Sequence, residues 1–228
     1  MTSRPWTVQT PGPLTPRGEG LWTIDDQVPG IPVNRRMTIV RRDDGSLVFF
    51  NAIPVPDDTL AQLRKLGTPA ALIIPNQFHA IDAAAFAQKL NVPAFMPDVT
   101  ITALADQLKG HRISELPRGD DLQLFAVEGF KTHEVVLVTR GCLITADLVT
   151  NVPHLGGVQG LVMRLIGFTG PAPTLPPPVR FRVGKNKTLI RARLEQLASL
   201  GLSTLIPSHG AVFTGDVGAV LRRIATRL

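Results

Sequence analysis

Tyrosine is absent from the 228 residues and cysteine occurs once, as Cys142. Without tyrosine there is no phenol to act as proton donor or nucleophile. One cysteine excludes an intrachain disulfide and any zinc site built on several thiolates. Cys142 stands in V-L-V-T-R-G-C-L-I-T and reads as a small buried hydrophobe. No apolar run approaches the roughly 20 residues that span a bilayer. The first residues, M-T-S-R-P-W-T-V-Q-T-P-G-P-L, contain no apolar signal core. A soluble, cytoplasmic protein with no membrane partner is the expectation.

Apolar residues are plentiful at 44%, enough for a sizeable core and too many for wholesale disorder. Twenty glycines and twenty prolines imply many turns between short elements. The formal charge is +6, which favours acidic partners such as phosphates, nucleic acid or anionic lipid. Arg164, Arg180, Arg182, Lys185, Lys187, Arg191 and Arg193 follow one another with no acid among them. Only Phe168 and Phe181 are interleaved for base stacking, so this stretch reads first as a solvated face, and nucleic acid is not the expected partner.

Residues 1–20 are rich in Pro, Gly and Thr and read as an extended lead-in to a single domain over 21–228. L-W-T-I-D-D (21–26) reads as a strand. M-T-I-V-R-R (37–42) and L-V-F-F-N-A (47–52) flank D-D-G-S, a β-hairpin pattern. The spacing over 57–67 predicts a helix with Asp57 as N-cap and Gly67 to close it. A-A-L-I-I-P (70–75) is apolar throughout, as for a strand buried on both faces. A helix over 80–90 and strands over 92–97, 122–127, 133–139 and 142–147 follow. Residues 152–184 read as a loop or lid with a short helix at V-Q-G-L-V-M-R-L-I. The chain closes with a helix over 187–201, a strand over 202–207, an S-H-G turn and an amphipathic helix over 216–228. Strands and helices alternate too thoroughly for separate α and β domains. Two sheets packed together with helices outside would bury the runs that are apolar on both faces.

Three polar residues recur at the end of apolar strands: His79 after A-L-I-I-P, Asp147 after C-L-I-T-A, and His209 after T-L-I-P-S. Ligand sites form at such rims, and two imidazoles with a carboxylate suit zinc, iron or manganese. Taken alone, a histidine at a strand end is more often a hydrogen-bonded structural residue, and an aspartate there more often a cap.

With these residues in place the chain resembles the metallo-β-lactamase-fold proteins, over roughly residues 20–228. That family carries a loop motif H-x-H-x-D-H after a buried strand, and I-P-N-Q-F-H is the matching window here. Ile74 and Asn76 stand at the first two histidines, Phe78 at the aspartate, and His79 at the last histidine. Asn51 stands where a family aspartate ends a hairpin strand. Gly129-Phe130-Lys131 matches a Gly-His-Thr turn, T-A-D supplies the bridging Asp147, and Ser-His-Gly supplies His209.

The resemblance implies an α+β fold, a four-layer αβ/βα sandwich. It also implies one metal position whose ligands are replaced by Ile74, Asn76 and Phe130, and a second that keeps His79, Asp147 and His209. One zinc, or iron or manganese, is the implied cofactor. Asn51, Asn76, Phe78, His133 and His154 are candidate pocket lining, with Glu134, Asn151 and Ser208 as further polar lining. His133 becomes the missing ligand if the register shifts, and His154 reaches the pocket only from its loop. His111 reads as solvated. Phe78 can turn into the core, with His79 or His209 then bonded to Asp147.

Three functions stay open: a one-metal hydrolase of a small ester, lactone or amide; a metal-free member that binds a small molecule or a partner; and, as the weakest, an anion- or nucleic-acid-binding protein using Arg180–Arg193.

Overall fold

The computed structural model describes residues 4–117 and 119–228. Met1, Thr2 and Ser3 of the lead-in, and the side chain of Arg182 in the basic stretch, lie outside what is described. The chain forms two compact units, Met1–Gln27 with Arg35–Gln123, and Val28–Asn34 with Leu124–Leu228.

The first unit is built on a seven-stranded sheet in chain order, β1 (Thr15–Gly18), β2 (Leu21–Gln27), β3 (Asn34–Arg41), β4 (Ser46–Phe50), β5 (Thr68–Ile73), β6 (Ala94–Met96) and β7 (Gly110–Arg112). The expected hairpin is β3–β4, antiparallel with Thr38 opposite Phe50 and Val40 opposite Val48. Its turn closes on Gly45 at φ +83°, a backbone that favours glycine. From β4 onward the strands run parallel, which is why β5 is apolar at consecutive positions rather than alternating.

α1 (Asp57–Leu66) and α2 (Ala83–Leu90) supply the crossovers to β5 and β6. Phe49, Leu60, Leu63, Leu72 and Phe86 form part of the core between sheet and helices. Helix α1 differs from expectation at both ends. Pro56, not Asp57, is its N-cap, with no side-chain bond. Gly67 is extended rather than left-handed, and is glycine because a Cβ there would meet the Gly45 carbonyl oxygen at 2.2 Å. α3 (Asp98–Leu104) and β7 were not anticipated, since V-T-I-T-A-L carries β-branched residues that obscure a short helix. His111, read as solvated, is half-exposed on β7 with its ring 5.5 Å from that of Phe95.

A buried guanidinium holds this unit's polar interior. Arg35 donates to Asp26 at 2.9 Å and also to Asp82, just ahead of α2. Arg42 grips Asp121 through two nitrogens, at 3.1 and 3.3 Å, both side chains being largely covered. It also donates to the Pro117 carbonyl, so the hairpin turn is tied to the 117–122 segment.

The second unit has a five-stranded sheet, ordered β12 (Phe213–Thr214), β11 (Thr204–Pro207), β10 (Cys142–Thr145), β9 (Glu134–Thr139) and β8 (Gln123–Val127). Strands β10 and β11 are parallel, and β9–β10 and β11–β12 antiparallel. α6 (Lys187–Ala198) and α7 (Val217–Ala225) cover it. α7 buries Val217, Val220, Leu221 and Ile224, at helical spacing, against Leu194 and Leu197 of α6. Burial of each such side chain stabilises by about 1.5–3 kcal/mol as an upper estimate. Asp216 caps α7 by accepting from the Ala219 N–H at 2.7 Å.

Cys142 is buried as expected, and desolvation pushes its thiol pKa up. The 152–184 stretch contains the expected short helix, α4 (Gly157–Leu165), and a second helix that was not expected, α5 (Pro177–Val183). Prolines at the start of α5 are tolerated because the first turn of a helix needs no N–H partner. Among the described residues no helix is long and apolar enough to cross a membrane.

Candidate metal centre

Register places two of the three expected ligands. Thr145 ends β10 opposite Pro207, which ends the parallel β11. Asp147 and His209 each lie two residues beyond those paired ends, so neighbouring strands deliver them to the same rim. Asp147 Oδ1 lies 3.8 Å from His209 Nε2, and both side chains are mostly covered. Ligand atoms held ~2.0–2.2 Å from one tetrahedral zinc stand roughly 3.3–3.6 Å apart. The pair therefore fits such an ion after a shift of a few tenths of an ångström.

The backbone around Asp147 is fixed by Glu134. This carboxylate, the first residue of β9, is fully buried. One oxygen accepts from the N–H groups of Ala146 and Leu148, at 3.1 and 3.0 Å, and the other from Asp147 N–H at 2.9 Å. Three converging donors hold a loop that would otherwise bury unpaired N–H groups. Thr145 adds a bond from Oγ1 to the Val149 carbonyl. Ser208 donates to the Thr145 carbonyl through both its N–H and its hydroxyl, locking one strand end to the other.

His209 is oriented from its far side. Nδ1 lies 2.7 Å from the backbone carbonyl of Asn34. A carbonyl oxygen only accepts, so Nδ1 carries a proton and donates. In the neutral ring this leaves the lone pair on Nε2, the nitrogen that faces Asp147. Metal-binding histidines are held the same way, with the distal N–H on a carbonyl or carboxylate. The Asn34 side chain also accepts from the Gly210 N–H, so one residue grips both sides of the turn. Gly210 has φ +91°, and a Cβ there would lie 2.0 Å from the Asn151 carbonyl oxygen. That carbonyl accepts from Ala211 N–H, while Asn151 N–H donates to the His209 carbonyl.

His79 ends a 3-10 turn, Gln77–His79, after β5. The helix expected over 80–90 is shorter than that, with α2 starting only at Ala83. The fully buried Asn76 caps the turn, its Oδ1 accepting from the Phe78 N–H at 2.9 Å. Phe78 does not turn into the core: 48% of it is exposed. Ile74 and Phe130 are fully buried members of apolar clusters, one in each unit. Asn51 adopts φ +67°, which asparagine tolerates, and its side-chain amide donates to the Arg36 carbonyl.

Neither His133 nor His154 belongs to the described group of histidine and acidic residues that could hold a metal ion. His133 precedes β9 at φ +48°, with its N–H on the Phe130 carbonyl. His154 is exposed, with Nδ1 3.1 Å from the Thr169 hydroxyl oxygen. Among the described residues, His79, Asp147 and His209 are the group of histidine and acidic residues that could hold a metal ion. Asn34 was missed by sequence reasoning. V-N-R-R has no motif, and Asn34 meets His209 only through the fold. Glu134 was read as lining. Its signal was an acid opening the apolar run E-V-V-L-V.

No family model matches the chain, and no curated protein matches it. Solved structures do. The DIM-1 metallo-β-lactamase, in a crystal exposed to ceftazidime, superposes at TM-score 0.66 with 14% identity, over 97% of this chain and 99% of that one. The FIM-1 metallo-β-lactamase from Pseudomonas aeruginosa, in its mono-zinc form, gives 0.62 with 12% identity over 97% and 98%. A metallo-β-lactamase from Hirschia baltica gives 0.61 with 14% identity over 93% and 97%. The chain therefore has the metallo-β-lactamase fold, an αβ/βα sandwich of two sheets with helices. At such identities the likeness establishes the fold alone.

Proposed function

We propose that this protein is a hydrolase that uses one metal ion, held by His79, Asp147 and His209, and acts on a small ester, lactone or amide. The observation that carries the reading is the His209 ring, fixed through Nδ1 so that Nε2 faces the Asp147 carboxylate. A bound zinc, iron or manganese ion supplies Lewis acidity that activates water near neutral pH. The protein's own part is to orient. Asn34 sets the His209 tautomer and direction, Glu134 holds the loop that presents Asp147, and Asn76 shapes the turn that carries His79.

The lost ligands favour a single ion. Ile74 and Phe130 are buried apolar side chains with no lone pair to donate, and Asn76 spends its side-chain oxygen on the 3-10 turn. A two-metal clamp on a phosphodiester is not built here, which argues against nuclease chemistry. The same replacements support a second reading, a metal-free scaffold that binds a small molecule or partner.

One experiment separates the two. Metal content is measured on protein purified without chelator, and melting is followed with added zinc and with EDTA. The hydrolase reading requires about one equivalent of metal, lost in His79→Ala and His209→Ala and kept in His154→Ala. It also requires stabilisation by linkage, about 2.7 kcal/mol at a free metal concentration of 100 Kd. Metal-free protein whose melting ignores both additives establishes the scaffold reading.

A further inference from the structure

Helix α4 (Gly157–Leu165) reverses the usual arrangement of a surface helix. Val158, Leu161, Val162 and Leu165 fall at helical spacing on one stripe, and they are 80%, 56%, 51% and 77% exposed. Only Gly160 of this helix is buried, where a Cβ would lie 2.0 Å from the Leu155 carbonyl oxygen. The helix thus seats its small residue on the body and turns its apolar stripe to solvent. Ile166 continues the exposed apolar surface at 45%, Phe181 of α5 adds 69%, and Leu189 of α6 adds 43%. These elements are joined, since a Cβ on Gly167, just past α4, would touch the Pro177 ring of α5 at 3.0 Å. Gly167, Pro177 and Arg180 also line one cleft. Isolated exposed leucines need no explanation, but a contiguous set on one helix does.

Charge identifies the occupant. Residues 148–194 contain seven Lys and Arg and no Asp or Glu, a charge of +7, so the rest of the chain, at +6 overall, carries −1. Arg164 lies on α4 itself, and Lys185, Lys187 and Arg191 are exposed around the start of α6. A second copy of the chain packing isologously would set these cations against themselves. Nucleic acid would leave the leucine and valine stripe in water with one exposed aromatic, Phe181, to stack. An anionic lipid surface satisfies both halves, taking the apolar stripe at the headgroup boundary and the cations on its phosphates.

We propose that α4, α5 and the start of α6 form a docking face for anionic membrane surfaces. This inference stands apart from the metal centre and holds whether or not a metal binds. The face lies on the bilayer and does not span it.

The test is co-sedimentation of the full chain with vesicles of phosphatidylcholine alone and of phosphatidylcholine mixed with phosphatidylserine. Binding is expected to the mixed vesicles and not to the neutral ones. Lys185→Gln with Lys187→Gln should weaken it roughly 30-fold, at about fivefold per cation near the surface. Leu161→Glu with Leu165→Glu should weaken it by at least about tenfold, since it sets carboxylates in the apolar boundary. Lys65→Gln, exposed on α1, should leave it unchanged. The substituted side chains are exposed, and circular dichroism confirms that each variant is folded. Three results would overturn the proposal: no preference for the anionic vesicles, binding indifferent to the leucine pair, or light scattering that shows a dimer which Leu161→Glu with Leu165→Glu dissociates.

Discussion

Glu134→Gln offers a sharp test of how this centre is held together. The buried Glu134 carboxylate accepts three backbone N–H bonds, two on one oxygen and one, from Asp147, on the other. Glutamine matches the shape. Its oxygen can keep the Ala146 and Leu148 bonds, but its NH2 then faces the Asp147 N–H, donor against donor. One buried donor loses its partner and two bonds lose their charge, which together cost about 1.5–3 kcal/mol. For a chain of this size that is roughly a 3–12 °C fall in Tm, with a lower denaturant midpoint at unchanged slope. The backbone N–H that loses its partner is that of a proposed ligand, Asp147. Metal affinity should therefore fall about 10–100-fold, as for outer residues that orient ligands. The assays are guanidinium unfolding of metal-free protein and competition for zinc against a chromophoric chelator. A variant as stable as the parent in metal-free form would refute the buried three-bond anchor. Normal stability loss with undiminished zinc affinity would refute the link from Glu134 through Asp147 to the metal.

Two further outcomes concern other parts of the fold. Gly210→Ala should destabilise by about 2–4 kcal/mol, because it adds a Cβ 2.0 Å from the Asn151 carbonyl oxygen at φ +91°. Thermal melting checks this, and an unchanged Tm would mean that the turn has another conformation. Asp121 is held below the usual carboxylate range by hydrogen bonds from the Arg42 guanidinium. A depressed folded pKa stabilises above the unfolded value, about 3.9, and that stability is lost as pH falls through the folded value. Asp121→Asn should therefore cost about 1–2 kcal/mol at neutral pH for this largely covered pair. The gap from the parent protein should close under acid, and denaturant midpoints at pH 7 and below pH 4 would show whether it does.

Much of the fold could be read from local pattern. The 37–52 hairpin carried an Asp-Gly turn between apolar runs, and β3–β4 formed around it. The runs L-I-I, L-V-F-F and C-L-I-T became buried strands, because a stretch apolar at every position can be satisfied only between two layers. The ends were less legible. Gly67 looks like a helix stop and is a close-approach glycine, a role set by the Gly45 carbonyl at the start of the neighbouring strand. α5 hid in a proline-rich segment because prolines at a first turn look the same as prolines in a loop. α3 and β7 are too short for periodicity to rise above noise.

The candidate centre divides along the same line. The residue types, two imidazoles and a carboxylate each following an apolar strand, were legible because donor chemistry is a property of the side chain. The direction of each side chain was not. That His209 turns Nε2 to Asp147 depends on the Asn34 carbonyl, 175 positions earlier in the chain. That Asp147 is presented at all depends on a carboxylate buried at the start of β9. The sequence by itself determined which elements form and which atoms could bind a metal, since burial pattern and lone pairs are local. Only tertiary structure decided their aim and the exposure of the α4 stripe. Strand register and long-range hydrogen bonds join residues that have no relation along the chain.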